Sequence, residues 1–250
     1  MAKRHDTIGI KQVVRLEWMQ KAAELQASGM MPKQVRQELH DVLAESKGSG
    51  AEGQRGDTSR SQVVNMLVNI WVTPDKGLSE FRDALLDAMA ADRDFELAAH
   101  WAMISAAYPF WLNSAKHVGR LLGLQDRVTQ AQITKRVKEQ YGDRQTVSRY
   151  TRYTIRSYVA WGVVVDTDDK GAYAAAPPSI VREPDHVALL LEGTLHADPN
   201  GKSPHAGLVN HPGLFPFQLS SLTGDAIAAA DERLHVSRFG LDEIVLGLRT

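Results

Sequence analysis

Hydrophobic positions in the first half of the chain recur at three- and four-residue intervals, the pattern of helices that each bury one face. Over residues 11–28 these positions are Val14, Leu16, Met19, Ala22 and Leu25, and Gly29 is placed to stop the helix. Pro32 suits the first position of a second helix, which continues through Val35, Leu39, Val42 and Leu43. The Gly- and Ser-rich run at 47–57 then reads as a flexible surface loop. A third helix is predicted over 61–72, with Val63, Val64, Leu67, Val68 and Trp71 facing a core, and it stops before Pro74. A fourth covers 78–90. A fifth begins near Arg93 and ends before Pro109, whose ring disfavours helical geometry at Tyr108. A sixth runs over 109–122 and ends near Gly123. Together they predict a helical bundle over residues 1–125.

The pattern changes over 126–176. Thr129 and Gln132 have the spacing of a capping box, and Val128 and Ile133 that of a hydrophobic staple, so a helix starts here and runs to Tyr141. Gly142 is placed to end it in a left-handed conformation, and Asp143 to cap the next helix. That next helix, about 144–161, sorts by face at 100° per residue. Gln145, Arg149, Arg152, Tyr153 and Arg156 share one sector, while Val147, Thr151, Thr154, Tyr158 and Trp161 occupy the other. After Gly162, residues 163–165 read as a strand, 166–171 as a turn and 172–174 as a returning strand.

Pro177 and Pro178 mark a boundary, and residues 177–250 are predicted as a mixed helix and hairpin region. A helix is expected over 184–195. The Gly-, Pro-, Asn- and His-rich run 197–216 reads as an irregular loop, and 219–231 as a candidate helix. Residues 235–239 and 243–248 are candidates for a hairpin about Gly240.

Composition changes this picture in one respect. The chain has 250 residues, 43% hydrophobic and 24% charged, as in ordinary folded proteins. It has no cysteine, which excludes disulfides, thiolate metal sites and a cysteine nucleophile and fits a reducing, cytoplasmic setting. The basic start has no apolar run behind it, unlike a secretory signal, and the longest apolar stretch, 98–112, is too short to span a membrane. The net charge is −1, yet residues 127–158 hold eight Lys and Arg against Glu139 and Asp143, a local +6 that leaves −7 on the remainder. A basic module therefore sits on an acidic body.

Helix, tight turn, amphipathic helix and hairpin, with Gln145-Thr146-Val147-Ser148-Arg149 leading to Trp161-Gly162-Val163, resembles the winged helix-turn-helix superfamily over residues 129–175. The fold class this implies is mainly α: an N-terminal helical bundle, a central winged helix-turn-helix and a mixed α/β C-terminal region. In that superfamily, polar residues early in the second helix meet the major groove of double-stranded DNA. The resemblance therefore implies a DNA-binding set of Arg144, Gln145, Thr146, Ser148, Arg149, Arg152, Tyr153 and Arg156. Guanidinium forks suit phosphate oxygens or the O6/N7 edge of guanine. One feature opposes this. The hairpin tip carries Asp166, Asp168 and Asp169 against Lys170 alone, so either the wing stays off the phosphates or the module binds an acidic protein partner instead. A broader likeness in layout runs through His100-Trp101-Ala102-Met103, Tyr108-Pro109-Phe110-Trp111 and Gly119-Arg120-Leu121-Leu122. It is similar to small helical accessory proteins of bacterial BREX-type phage-defence systems, which implies a non-catalytic DNA-binding role.

No P-loop, HExxH or GxSxG motif is present. His186, His196, His205 and His211 cluster in the last third near Asp185 and Asp198, but their spacing matches no metal-binding pattern, so no metal and no cofactor is expected. His100 and His117 read as ordinary core or surface histidines. Glu80, Asp83 and Asp87 read as a solvated acidic helix face. Tyr108, Phe110 and Trp111 read as core, and Leu214-Phe215-Pro216-Phe217 as an apolar loop that packs on the bundle. No catalytic residues are assigned, and the chain is expected not to be an enzyme.

Overall fold

The computed structural model describes residues 2–45, 56–239 and 243–249. The chain is mainly helical, 63% helix with twelve α-helices among the described residues, and 13% sheet. The Gly- and Ser-rich loop at 47–57 lies largely outside the described residues, as does Gly240.

The bundle begins with α1 (Ala2–Asp6), an extended stretch over 7–15, and α2 (Leu16–Ala27). The helix predicted from residue 11 starts at 16 because Val14 lies in extended chain, its side chain already buried and both its backbone polar groups bonded elsewhere. Gly29 takes φ +74 and turns the chain into α3 (Pro32–Glu45), which buries Val35, Leu39 and Leu43. Helix α4 (Asp57–Leu67) passes into a π-helical turn, Val68–Val72, where the sequence predicts one regular helix. The wider turn accompanies burial of Val68, Ile70, Trp71 and Val72 together, more than a single 3.6-residue face presents. Helix α5 (Ser79–Ala91) follows. A 3-10 turn, Arg93–Phe95, leads to α6 (Glu96–Ala107), and α7 (Pro109–Leu122) carries Pro109 in its first turn. Every residue from Ala98 to Ala106 is buried, so α6 is the central helix. Phe110 and Trp111 are also fully buried.

Strand β1 (Val128–Thr129) opens the basic segment and leads to α8 (Gln130–Tyr141) and α9 (Gln145–Ala160). Strands β2 (Val164–Asp166) and β3 (Ala172–Ala175) form the expected hairpin. Val128 pairs with Tyr173, so the sheet order is β1-β3-β2, with β1 a strand that two residues of sequence do not announce. The chain continues through β4 (Ser179–Val181) into α10 (Pro184–Ala197), whose residues 186–195 are all buried. Helix α10 lies against α6. A Cβ added to Gly193 would stand 2.8 Å from the Ala102 backbone, so only glycine permits this approach.

The remainder is more ordered than the irregular loop predicted over 197–216. It contains β5 (Lys202–Pro204), α11 (His205–Val209) and a 3-10 turn, Pro212–Leu214. Strand β6 (Phe217–Leu219) pairs in parallel with β4. The helix expected over 219–231 is limited to α12 (Gly224–Ala230), capped by the Thr223 hydroxyl. Strands β7 (Leu234–Phe239) and β8 (Glu243–Leu248) form the antiparallel pair expected there, and β5 adds to the β8 edge. One cluster of buried side chains runs from Ile10 through Trp101, Val147 and Tyr158 to Leu246. The boundaries expected at 126 and 177 therefore do not interrupt the core.

Candidate nucleic-acid interface

Helix α8 begins with the capping box read from the sequence. The Thr129 hydroxyl accepts from the Gln132 amide at 3.2 Å, and the Gln132 side chain accepts from the Thr129 amide at 2.8 Å. Gly142 takes a positive φ of 88 but pairs it with an extended ψ of 154, not the left-handed helical value. Asp143 does not cap α9. Its carboxylate meets Lys138 at 2.7 Å, and the N-cap position falls to Arg144, which makes no side-chain cap bond. Arg144 instead donates to the Tyr141 carbonyl at 2.9 Å and closes the end of α8.

The inner face of α9 is tied to the bundle by three bonds. The Tyr158 hydroxyl donates to the Trp111 carbonyl at 2.6 Å. The Val14 amide donates to the Ser157 hydroxyl at 2.9 Å, and the Trp161 indole donates to the Val14 carbonyl at 3.0 Å. Ser157, Tyr158 and Trp161 are buried, as are Val147, Thr151 and Thr154. Thr151 and Thr154 direct their hydroxyls to carbonyls one turn back, so neither leaves an unbonded polar atom in the core.

The outer face leaves Gln145, Arg149, Arg152 and Arg156 exposed, with Thr146, Ser148 and Tyr153 half-buried beside them. Its arginines are not equivalent. Arg156 is clamped to Asp166 of the hairpin at 2.6 and 2.8 Å, and that hydrogen bond, against partial burial, raises its already high pKa. The Arg149 guanidinium lies 5.3 Å from the Tyr150 ring and that of Arg152 5.8 Å from the Tyr153 ring. Neither has a carboxylate partner among the described residues. The two tyrosine rings stack with centroids 6.3 Å apart. The structure thus brings Gln145, Arg149 and Arg152 together on open surface, while Arg144 and Arg156 are engaged in holding α8 and the hairpin.

The acid at the hairpin tip is partly spent within the module. Asp166 binds Arg156, and Asp169 binds Arg127 at 3.1 Å. Asp168 and Lys170 remain as an exposed pair of opposite charges in the turn. An open groove runs between α8, the start of α9 and this turn, lined by Lys135, Lys138, Ser148 and Lys170 together with Glu139 and Asp143. Lys135 belongs to this surface although the facial reading of α9 does not include it, and the charge run over 127–158 is the signal that marks it. Arg15, from the extended stretch before α2, joins Arg152 and Arg156 around a second hollow. No periodicity marks that residue, because it lies just before the first turn of α2.

The other sequence candidates disperse. His186 stacks on Phe95 at 4.0 Å, His205 lies 2.9 Å from the Leu222 carbonyl, and the His211 ring accepts from the Gly213 amide at 3.1 Å. His196 lies 3.3 Å from Glu192. Among the described residues no three His, Asp or Glu side chains converge as metal ligands. Glu80, Asp83 and Asp87 are exposed along α5. Leu214 and Phe217 are buried, and Phe215 packs edge-on to Trp101. No helix among the described residues is long and apolar enough to cross a membrane. No family model matches this chain, and no curated protein or solved structure is similar to it.

Proposed function

We propose that residues 129–175 form a winged helix-turn-helix whose second helix, α9, binds double-stranded DNA, and that the protein acts without catalysis as an accessory or regulatory factor. The observation that carries this reading is the pair Arg149 and Arg152. They are two exposed guanidiniums on one face of a helix whose opposite face is bonded into the core, with no carboxylate on either among the described residues. Gln145 and Ser148 lie beside them as candidates for base edges or phosphates. The order β1-β3-β2 with α8 and α9 between β1 and β2 supports the winged arrangement. The Asp166 and Asp169 pairings lower the charge conflict at the hairpin tip.

The test is fluorescence anisotropy of a labelled duplex across a salt series, comparing the wild type with Arg149→Glu/Arg152→Glu. Salt-sensitive binding that the double variant loses is the expected outcome. Absence of binding by the wild type at the lowest salt overturns the proposal. The resemblance to accessory proteins of phage-defence systems extends it to a role in defence. Deleting the gene from its host is then expected to raise phage plating efficiency, and unchanged plating removes that role.

A second reading is favoured by the tyrosines. Tyr150 and Tyr153 stack beneath Arg149 and Arg152, and clustered Tyr and Arg are typical anchors of protein interfaces. In this reading the same face docks on an acidic protein partner, and a partner that co-purifies in fixed ratio without duplex affinity supports it.

A further inference from the structure

Where α1, α7, the last turn of α8 and the last turn of α10 meet, they line a half-open cavity of about 470 Å³, within the range of small-molecule sites. Leu112, Leu195 and Leu208 give it an apolar wall. Ser203 gives it a hydroxyl, and Asn113 donates to the Tyr141 hydroxyl at 2.7 Å, which leaves one Asn113 amide hydrogen and the Tyr141 proton for an occupant.

Its charges are unevenly satisfied. Lys116 of α7 lines the cavity, half-buried, and its ammonium has neither an ion pair nor a hydrogen bond among the described residues. Burial first, and then the neighbouring Arg120, lower its pKa, an effect that Asp198 offsets only in part. His211, in the same wall, is pushed down to about 4 by burial and by the charges of Lys116 and Arg120, so it stands neutral. A partly desolvated ammonium without a partner is relieved by an anion placed against it, and the neutral His211 ring does not compete for that anion. One terminal carbonyl of each helix, α8 and α10, a group that would repel that anion, already accepts from an arginine. Arg144 donates to the Tyr141 carbonyl, and Arg4 donates to the His196 carbonyl at 3.0 Å.

We propose that this cavity binds a small organic anion, a phosphate or carboxylate on a body of nucleotide size, with Lys116 as the principal charge partner and Asn113 as a hydrogen-bond donor. Asp6 and Asp198 are the two carboxylates of the lining. They accept hydrogen bonds from hydroxyl or amino groups on the same ligand, so the site discriminates against bare inorganic anions. The wall includes Arg144, the residue immediately before α9, so an occupant touches the N-terminus of the helix that carries Arg149 and Arg152.

The test uses adenosine 5′-monophosphate as the probe, with adenosine and inorganic phosphate beside it, in amide chemical-shift titrations of the full chain without DNA. Saturable shifts at Asn113, Lys116, Tyr141 and Ser203 with the monophosphate, and none with adenosine, are expected. Lys116→Gln is expected to weaken this binding at least about tenfold, roughly 1.4 kcal/mol, while Lys116→Arg retains it. A Lys116→Gln protein with an unchanged amide spectrum elsewhere shows that the loss is local. No saturable binding of the monophosphate up to about 10 mM overturns the proposal. So does binding that Lys116→Gln leaves intact, or shifts confined to Arg149 and Arg152. Because no DNA is present, failure here leaves the reading of α9 standing, and failure of duplex binding leaves this site standing.

Discussion

Arg152 and Arg156 stand one helical turn apart on the same side of α9, yet only Arg152 is free to meet a ligand. The difference is set by a residue ten positions further on, since Asp166 binds Arg156 through both carboxylate oxygens. In the anisotropy series, losing one phosphate contact lowers the salt slope by about 0.9. Arg149→Ala and Arg152→Ala are each expected to show that decrease. Arg156→Ala is expected to leave the slope close to wild type and to cost under about 1 kcal/mol of stability, because the pair it breaks is exposed. An equal loss of slope for all three would mean that the clamp opens on DNA. The facial sorting of α9 was legible from periodicity alone, and the structure leaves Gln145, Arg149, Arg152 and Arg156 outward as that sorting requires. The inequality among the arginines was not legible. It depends on how far the hairpin folds back, which is a distance in space and not a spacing in sequence. Asp143 carries the same lesson, for a good capping residue was drawn away by Lys138 one turn earlier.

Elements whose ends are written in local chemistry emerged where the sequence put them. Helix α7 begins at Pro109, and α8 begins directly after its Thr129 cap, with Gln132 closing the box from within the first turn. Elements that need a distant partner did not. Strands β1, β4 and β6 are two or three residues long and exist through pairing with chain roughly 40 positions away, as Val128 with Tyr173 and Ser179 with Phe217. The contact of α10 with α6 shows the same dependence. Gly193 seats α10 on Ala102 of α6, a role that the expectation of a helix over 184–195 does not contain. Gly193→Ala raises helix propensity but forces a methyl group against backbone, so a net loss of about 1–3 kcal/mol is expected in denaturant unfolding. A gain in stability would mean that the two helices can separate without loss.

At the scale of the whole molecule, buried titratable groups set how stability follows pH. His100 is pushed down to about 3 by burial, and His196 and His211 to about 4, burial being the leading cause for each. These depressed values contribute stability above the unfolded histidine pKa of about 6.5, and it is lost as the pH falls toward the folded values. Asp231 opposes them, raised to about 7 by burial and by its hydrogen bond and repulsion with Glu192, which burial also raises. A raised carboxyl favours the folded state at low pH and loses that contribution as the pH rises through its folded value. Between about pH 6.5 and 4.5, the depressed histidines outnumber the one carboxyl raised to about 7, and the upward shift of Glu192 offsets them further in part, so stability is expected to fall with acid. Denaturant unfolding across this range checks the sign, and a rise in stability on acidification would give the carboxyl pair the larger share. The composition showed nine histidines but not their burial, because burial belongs to the assembled core. The bonds at Val14 have a mechanical consequence at this scale. Both polar groups of one backbone unit are held by Ser157 and Trp161, so α9 cannot pivot without stranding an amide and a carbonyl in the interior. The outward arginines therefore keep a fixed bearing on every other surface of the molecule. A protein seated on the bundle would be aimed at whatever α9 holds, as though by a bracket.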